Sequence, residues 1–199
     1  MDYLKTWLTF NKSNKLINKS RIESNESINK SRIEEITHME TPIETLIQRV
    51  VDEFVNIDNI SACLLSSIIT HELLSHYGIE NQIVNGFKLL NQNTYATSHF
   101  WISSNGNNYD VCDLINRQVF HNNGLQIPKR FFDSTLVLSV PPNVERIDIE
   151  TEDEIVAHNK LQTSFNLYLE NAESFWSKIP VIFHELKNNI MNPKQSKTD

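Results

Sequence analysis

The dipeptide Asn105-Gly106, set between two strand-like runs, leaves the middle of this chain few ways to fold. A two-residue connection of that kind needs left-handed backbone at both positions, which Asn and Gly tolerate, and its twist suits an antiparallel hairpin. The runs it joins cover residues 95–103 and 108–112, and a third run over 82–90 precedes them across Asn91-Gln92-Asn93-Thr94. In that register Cys112 lies opposite His99. Side chains alternate between faces along a strand, so Asp110 sits diagonally across from His99 while Asp113 points the other way. A three-residue loop would reverse this and bring in Asp113.

Helical patterns flank the strands. Thr41-Pro42-Ile43-Glu44 is a helix start, with Thr as cap and Pro at the first position, and Ile43, Leu46, Ile47, Val50, Val51 and Phe54 follow on one side. A second helix is predicted from Ser61 to Gly78, the glycine serving as a left-handed terminator. Beyond the hairpin, short strands are predicted over 135–140, ended by Pro141-Pro142, and over 145–149. Thr151 to Glu154 then forms a capping box that opens helical segments over 152–190, interrupted at Pro180. Helices, then an antiparallel sheet, then helices make an α+β fold.

Upstream, residues 1–38 are polar, and Ile-Asn-Lys-Ser-Arg-Ile-Glu occurs at 17–23 and again at 28–34. Two copies with so thin an apolar stripe cannot bury much area, so a disordered leader is expected there. The chain's 199 residues otherwise hold one ordinary domain. The organisation read from sequence is a leader over 1–38, a domain over 40–150, a helical extension over 151–190 and a flexible tail over 191–199.

A net charge of -7 without a clustered basic face argues against nucleic acid or an anionic membrane as partner. No apolar run approaches the length of a membrane span, and no signal peptide is recognisable. Two cysteines, Cys63 and Cys112, make no disulfide framework, so a cytoplasmic, reducing location is expected.

The chemistry-bearing residues occur in the order Cys63, His99, Asp110. A thiol attacks an acyl carbon effectively only as thiolate; an imidazole can supply that state, and a carboxylate can orient the imidazole. Cys63 in the first turn of a helix would lie over unsatisfied N–H groups, which favour thiolate and can receive an oxyanion. Other candidates are poorer. His71-Glu72 and His76 are spaced one residue too far for a zinc-binding helix, His184-Glu185 lacks a second histidine nearby, and Trp176, Ile179 and Phe183 suit a core. Cys112, placed beside His99 by the hairpin register, suggests a Cys63–Cys112 disulfide under oxidation.

Four elements in sequence carry a family resemblance. Cys63 opens a helix, Gly78-Ile79 follows after fifteen residues, Val84-Asn85-Gly86-Phe87 comes next, and then His99-Phe100-Trp101 supplies His-x-Trp, with Asp110 across a hairpin. Over this stretch, about a quarter of the chain, the sequence resembles the transglutaminase-like core of the papain-like cysteine enzyme superfamily. It departs at Gln82, where members often carry Arg, and at Ser61-Ala62, where aromatic residues or Gly usually precede the Cys. The resemblance implies a Cys-bearing helix packed on an antiparallel sheet that carries His and Asp. It implies thiol-dependent acyl transfer on an amide of a peptide or protein substrate, as peptidase, deamidase or transglutaminase, with no cofactor and no metal. Catalysis would fall to Cys63, His99 and Asp110, with Asp113 the alternative acid. The other reading is an inactive peptide- or protein-binding module on the same fold.

Overall fold

Apolar residues recurring at three- and four-residue spacing produce the first helix, α1 (Pro42–Val55), which buries Ile43, Ile47, Val50, Val51 and Phe54. The structure, a computed structural model, describes residues 42–55, 63–124 and 130–193. The leader expected over 1–38 and the caps expected from Thr41 and Ser61 lie outside the described residues. Helix α2 (Cys63–His76) buries Leu64, Ile68, Ile69, Leu73 and Leu74 together with Ser66, Ser67 and Thr70. Its end is closed as the glycine predicted: Gly78 takes φ +70°, its N–H donates to Ser75 O at 3.0 Å, and Ile79 N–H donates to Leu74 O at 2.9 Å.

Strands β1 (Gln82–Leu90) and β2 (Tyr95–Ser104) pair antiparallel along their length, with Gly86 opposite His99. The turn Asn105-Gly106 has φ of 51° and 76°, both left-handed as a two-residue loop demands. It delivers β3 (Asn107–Tyr109), with Tyr109 opposite Ile102. The strand expected over 108–112 stops there. Asp110 instead caps a helix absent from the sequence reading, α3 (Val111–Asn122), by accepting the Asp113 N–H at 2.9 Å. Cys112 therefore lies in the first turn of α3 and not opposite His99. Burial explains the change: Val111, Leu114 and Ile115 are spaced for one helical face and are buried where α3 packs on α1 and α2. A longer edge strand would leave that face without a partner.

Strand β4 (Leu136–Val137) pairs with β1, and β5 (Glu145–Arg146) runs parallel to the start of β2. The order is β3-β2-β1-β4 with β5 beside β2, so the fold is α+β around a mostly antiparallel sheet. Both late strands are shorter than predicted. Asp133 draws the amide and hydroxyl of Thr135 into a local turn just before β4, and the two prolines end the segment after it.

The capping box forms with both arms: Glu154 N–H reaches Thr151 Oγ1 at 3.3 Å, and Thr151 N–H reaches Glu154 Oε2 at 2.9 Å. It starts α4 (Glu152–Glu170). Asn171 ends that helix and caps the short α5 (Ala172–Trp176), a break the sequence reading did not place, and Pro180 precedes α6 (Val181–Met191). Helix α4 covers the sheet face bearing Phe100 and Asn85, through a Phe100–Phe165 contact at 5.1 Å and a 2.6 Å bond from Asn85 to Gln162. Glu72 of α2 accepts the Trp176 indole N–H at 2.8 Å and pairs with Lys187 of α6. No helix among the described residues is long and apolar enough to cross a membrane.

Candidate active site

Alternation along paired strands puts Gly86, Lys88, His99 and Trp101 on the face of the sheet opposite Phe100. Gly86 is required by close approach. A Cβ there would lie 2.5 Å from Trp101 Cη2 and 2.6 Å from the Val137 carbonyl oxygen. The glycine of Val84-Asn85-Gly86-Phe87 and the tryptophan of His99-Phe100-Trp101 are thus halves of one packing unit beside His99. Trp101 is fully buried, and its indole N–H finds no acceptor among the described residues.

Asp110 enters from the start of α3. Its Oδ1 accepts from His99 Nε2 at 2.8 Å and from the Asp113 N–H, and its Oδ2 accepts from Lys88 Nζ at 2.6 Å. Burial opposes the charged form, but His99 and Lys88 outweigh it and hold this carboxyl well below the usual range. An ionised carboxylate can only accept, so His99 Nε2 carries the proton of that bond. In the neutral imidazole Nδ1 is then left with its lone pair, the form a general base needs. Asp110 reaches His99 as a helix cap and not as a paired strand residue.

Cys63 is the first residue of α2, and the backbone of Phe100, Leu64 and Cys63 itself lies close enough to its sulfur to favour the charged form. Phe100 follows His99 directly, so this contact brings the start of α2 to the His99 position on β2. The residue is half-buried. Its thiol is pushed up to about 11, by burial first and by the negative charge of Asp110 second, against the pull of that backbone. Burial of the sulfur thus works against the thiolate that the helix start favours. Desolvation of the sulfur exceeds the stabilisation that a helix terminus supplies.

Asp113, the alternative acid, faces elsewhere: its carboxylate pairs with Lys88 at 3.1 Å and with Arg117 one turn along α3. Cys112 is buried and free, and burial together with Cys63 and Asp110 pushes its thiol well up. His71 Nδ1 bonds Asn81 Oδ1 at 2.8 Å, His76 packs edge-on against Tyr77, and His184 Nε2 donates to the Trp176 carbonyl at 2.9 Å. Among the described residues no group of three His, Cys, Asp or Glu side chains is placed to hold a metal ion.

Two residues at the site were not read from the sequence. Lys88 Nζ sits among three carboxylates, with Asp133 at 3.3 Å joining Asp110 and Asp113. Together they outweigh its burial and hold the ammonium above its usual range. The available signal was period two: Lys88 lies two residues past Gly86, on the face of His99, inside the apolar run Phe87-Lys88-Leu89-Leu90. Asp133 comes from the segment before β4 and had no such signal. Comparison with protein-family models, curated proteins and solved structures found no match for this chain.

Proposed function

We propose that the protein is a thiol-dependent acyl-transfer enzyme acting on amides of peptides or proteins, with a transglutaminase-like, papain-like core. The reading rests most on the buried His99–Asp110 bond, which engages Nε2 and fixes the orientation of the imidazole, leaving Nδ1 outside that bond. In this mechanism Cys63 waits as a thiol. When a substrate carbonyl arrives, His99 Nδ1 takes the thiol proton as sulfur attacks carbon, and the imidazolium returns it to the leaving amine. Asp110 fixes the tautomer and stabilises the imidazolium. Amides at the start of α2 are available to the developing oxyanion. Water or a second amine then takes the acyl group. Two free thiols suit a reducing, cytoplasmic setting.

One observation favours the other reading, a peptide-binding module without chemistry: the Cys63 thiol is raised rather than lowered. The deciding experiment incubates the protein with glutamine-containing peptides, with and without a fluorescent primary amine, and follows intact mass. The expected result is an acyl adduct on Cys63, lost in Cys63→Ala and His99→Ala. If no adduct forms and iodoacetamide alkylates Cys63 equally fast in wild type and His99→Ala, the module reading replaces the enzyme.

A further inference from the structure

Asp110 carries out two electrostatic tasks that conflict. A bare buried carboxylate next to an imidazole stabilises the imidazolium, but the same charge opposes a thiolate nearby, and at Cys63 it already acts in that direction. The cluster contains a remedy. Lys88 Nζ lies 2.6 Å from Asp110 Oδ2, on the side of the carboxylate away from the oxygen that holds His99. The ammonium is itself caged, by Asp113 from α3 and by Asp133 from the segment before β4, and it is largely buried. Three elements thus converge to hold one cation against one carboxylate.

We propose that Lys88 is a positioning residue that cancels the charge of Asp110 while leaving its hydrogen bond to His99 intact, and so sets the pH window in which Cys63 gives up its proton. This rests on the acyl-transfer reading of Cys63, His99 and Asp110. The charged and titratable groups involved are Lys88 on β1, His99 on β2, Cys63 on α2, Asp110, Cys112 and Asp113 at the start of α3, Arg117 one turn further along it, and Asp133. Asp113 has Arg117 as a second cation, so its charge is shared away from the thiol. Asp110 has no cation other than Lys88 and, when protonated, His99 among the described residues. With Lys88 removed, the full charge of Asp110 falls on Cys63 whenever His99 is neutral.

The test is the rate of iodoacetamide alkylation at Cys63, followed by peptide mass across pH, on the full chain. Lys88→Met should displace the Cys63 curve upward by about one pH unit, read as roughly tenfold slower alkylation at any pH below the midpoint. Lys88→Arg should restore the wild-type rate. Lys88→Gln, which can still donate a hydrogen bond to Asp110 but carries no charge, should be as slow as Lys88→Met; a lysine needed only for packing or folding would be rescued by it. If Lys88→Met proves too unstable to purify, the same displacement is read from Lys88→Gln alone. An unmoved curve in the variant measured, or Lys88→Gln as fast as wild type, overturns the assignment. Absence of an acyl adduct on wild-type Cys63 would instead overturn the acyl-transfer reading, so the two failures are told apart by separate measurements.

Discussion

Asp110 serves two structures at once, the cap of α3 and the acceptor for His99. Asp110→Asn keeps the cap, since Asn caps helices about as well, but turns a charged acceptor into a neutral amide that leaves the imidazole tautomer unfixed. We expect acyl transfer to fall at least about a hundredfold in Asp110→Asn and little in Asp113→Asn, in a side-by-side rate assay; the reverse ranking would place the acid at Asp113. Acid stability belongs to the same scale. Asp148 is buried, and bonds from Arg146 and Ser98 outweigh that burial to hold its carboxyl below the usual range, as Lys88 does for Asp133. A carboxyl lowered by folding adds stability above its unfolded value of about 3.9, which is lost as pH falls from there. Denaturant titrations between about pH 2 and 5 should therefore show a shallower pH slope for Asp148→Asn than for wild type. Cys63, His99 and Asp110 could be singled out in the sequence because a thiol, an imidazole and a carboxylate in that order stand out by residue type, and the fold brings His99 and Asp110 into contact. Lys88 could not be, because a lone lysine in a strand reads as a solvated side chain until three separate segments fold around it. The raised Cys63 thiol was illegible for a related reason, since desolvation is set by what packs over the sulfur.

Elements with local chemistry were readable and those decided by tertiary burial were not. Gly78, Asn105-Gly106 and Thr151 to Glu154 ended, turned and started their elements as read, because each acts within a few residues. Helix α3 was lost to the hairpin pattern, although Asp110 three residues before Asp113 is itself a helix start, with Val111, Leu114 and Ile115 at helical spacing. Two local signals overlapped, and packing against α1 and α2 decided between them. At β1 the demanding position is Gly86. Gly86→Ala pushes a methyl into Trp101 and into the backbone of β4, neither of which is a flexible side-chain tip. We expect a loss of about 1–3 kcal/mol, by chemical denaturation, and reduced acyl transfer as His99 shifts with its neighbour.

The α+β class was readable from the succession of patterns, whereas the integration of the last three helices was not. Phe165, Tyr168, Phe175, Trp176, Leu186 and Ile190 are all buried, and with the Glu72 contacts to Trp176 and Lys187 they cover α2 and the Phe100 face of the sheet. Each large buried side chain is worth about 1.5–3 kcal/mol, so six of them match or exceed the whole stability of an ordinary domain. A chain ending at residue 150 should therefore lose cooperative thermal unfolding by circular dichroism, and a sharp transition in that fragment would show that the helices are dispensable. The indole of Trp101, enclosed with no acceptor among the described residues, has an optical consequence. In a Trp7→Phe background the chain carries two intrinsic dyes of different colour. Trp101 should emit at the blue end of the indole range, and Trp176, bonded to Glu72 with the Lys187 ammonium 4.2 Å from its ring centroid, at longer wavelength. During unfolding the blue component reports the loosening of the sheet around His99, and the red one reports the release of the terminal helices.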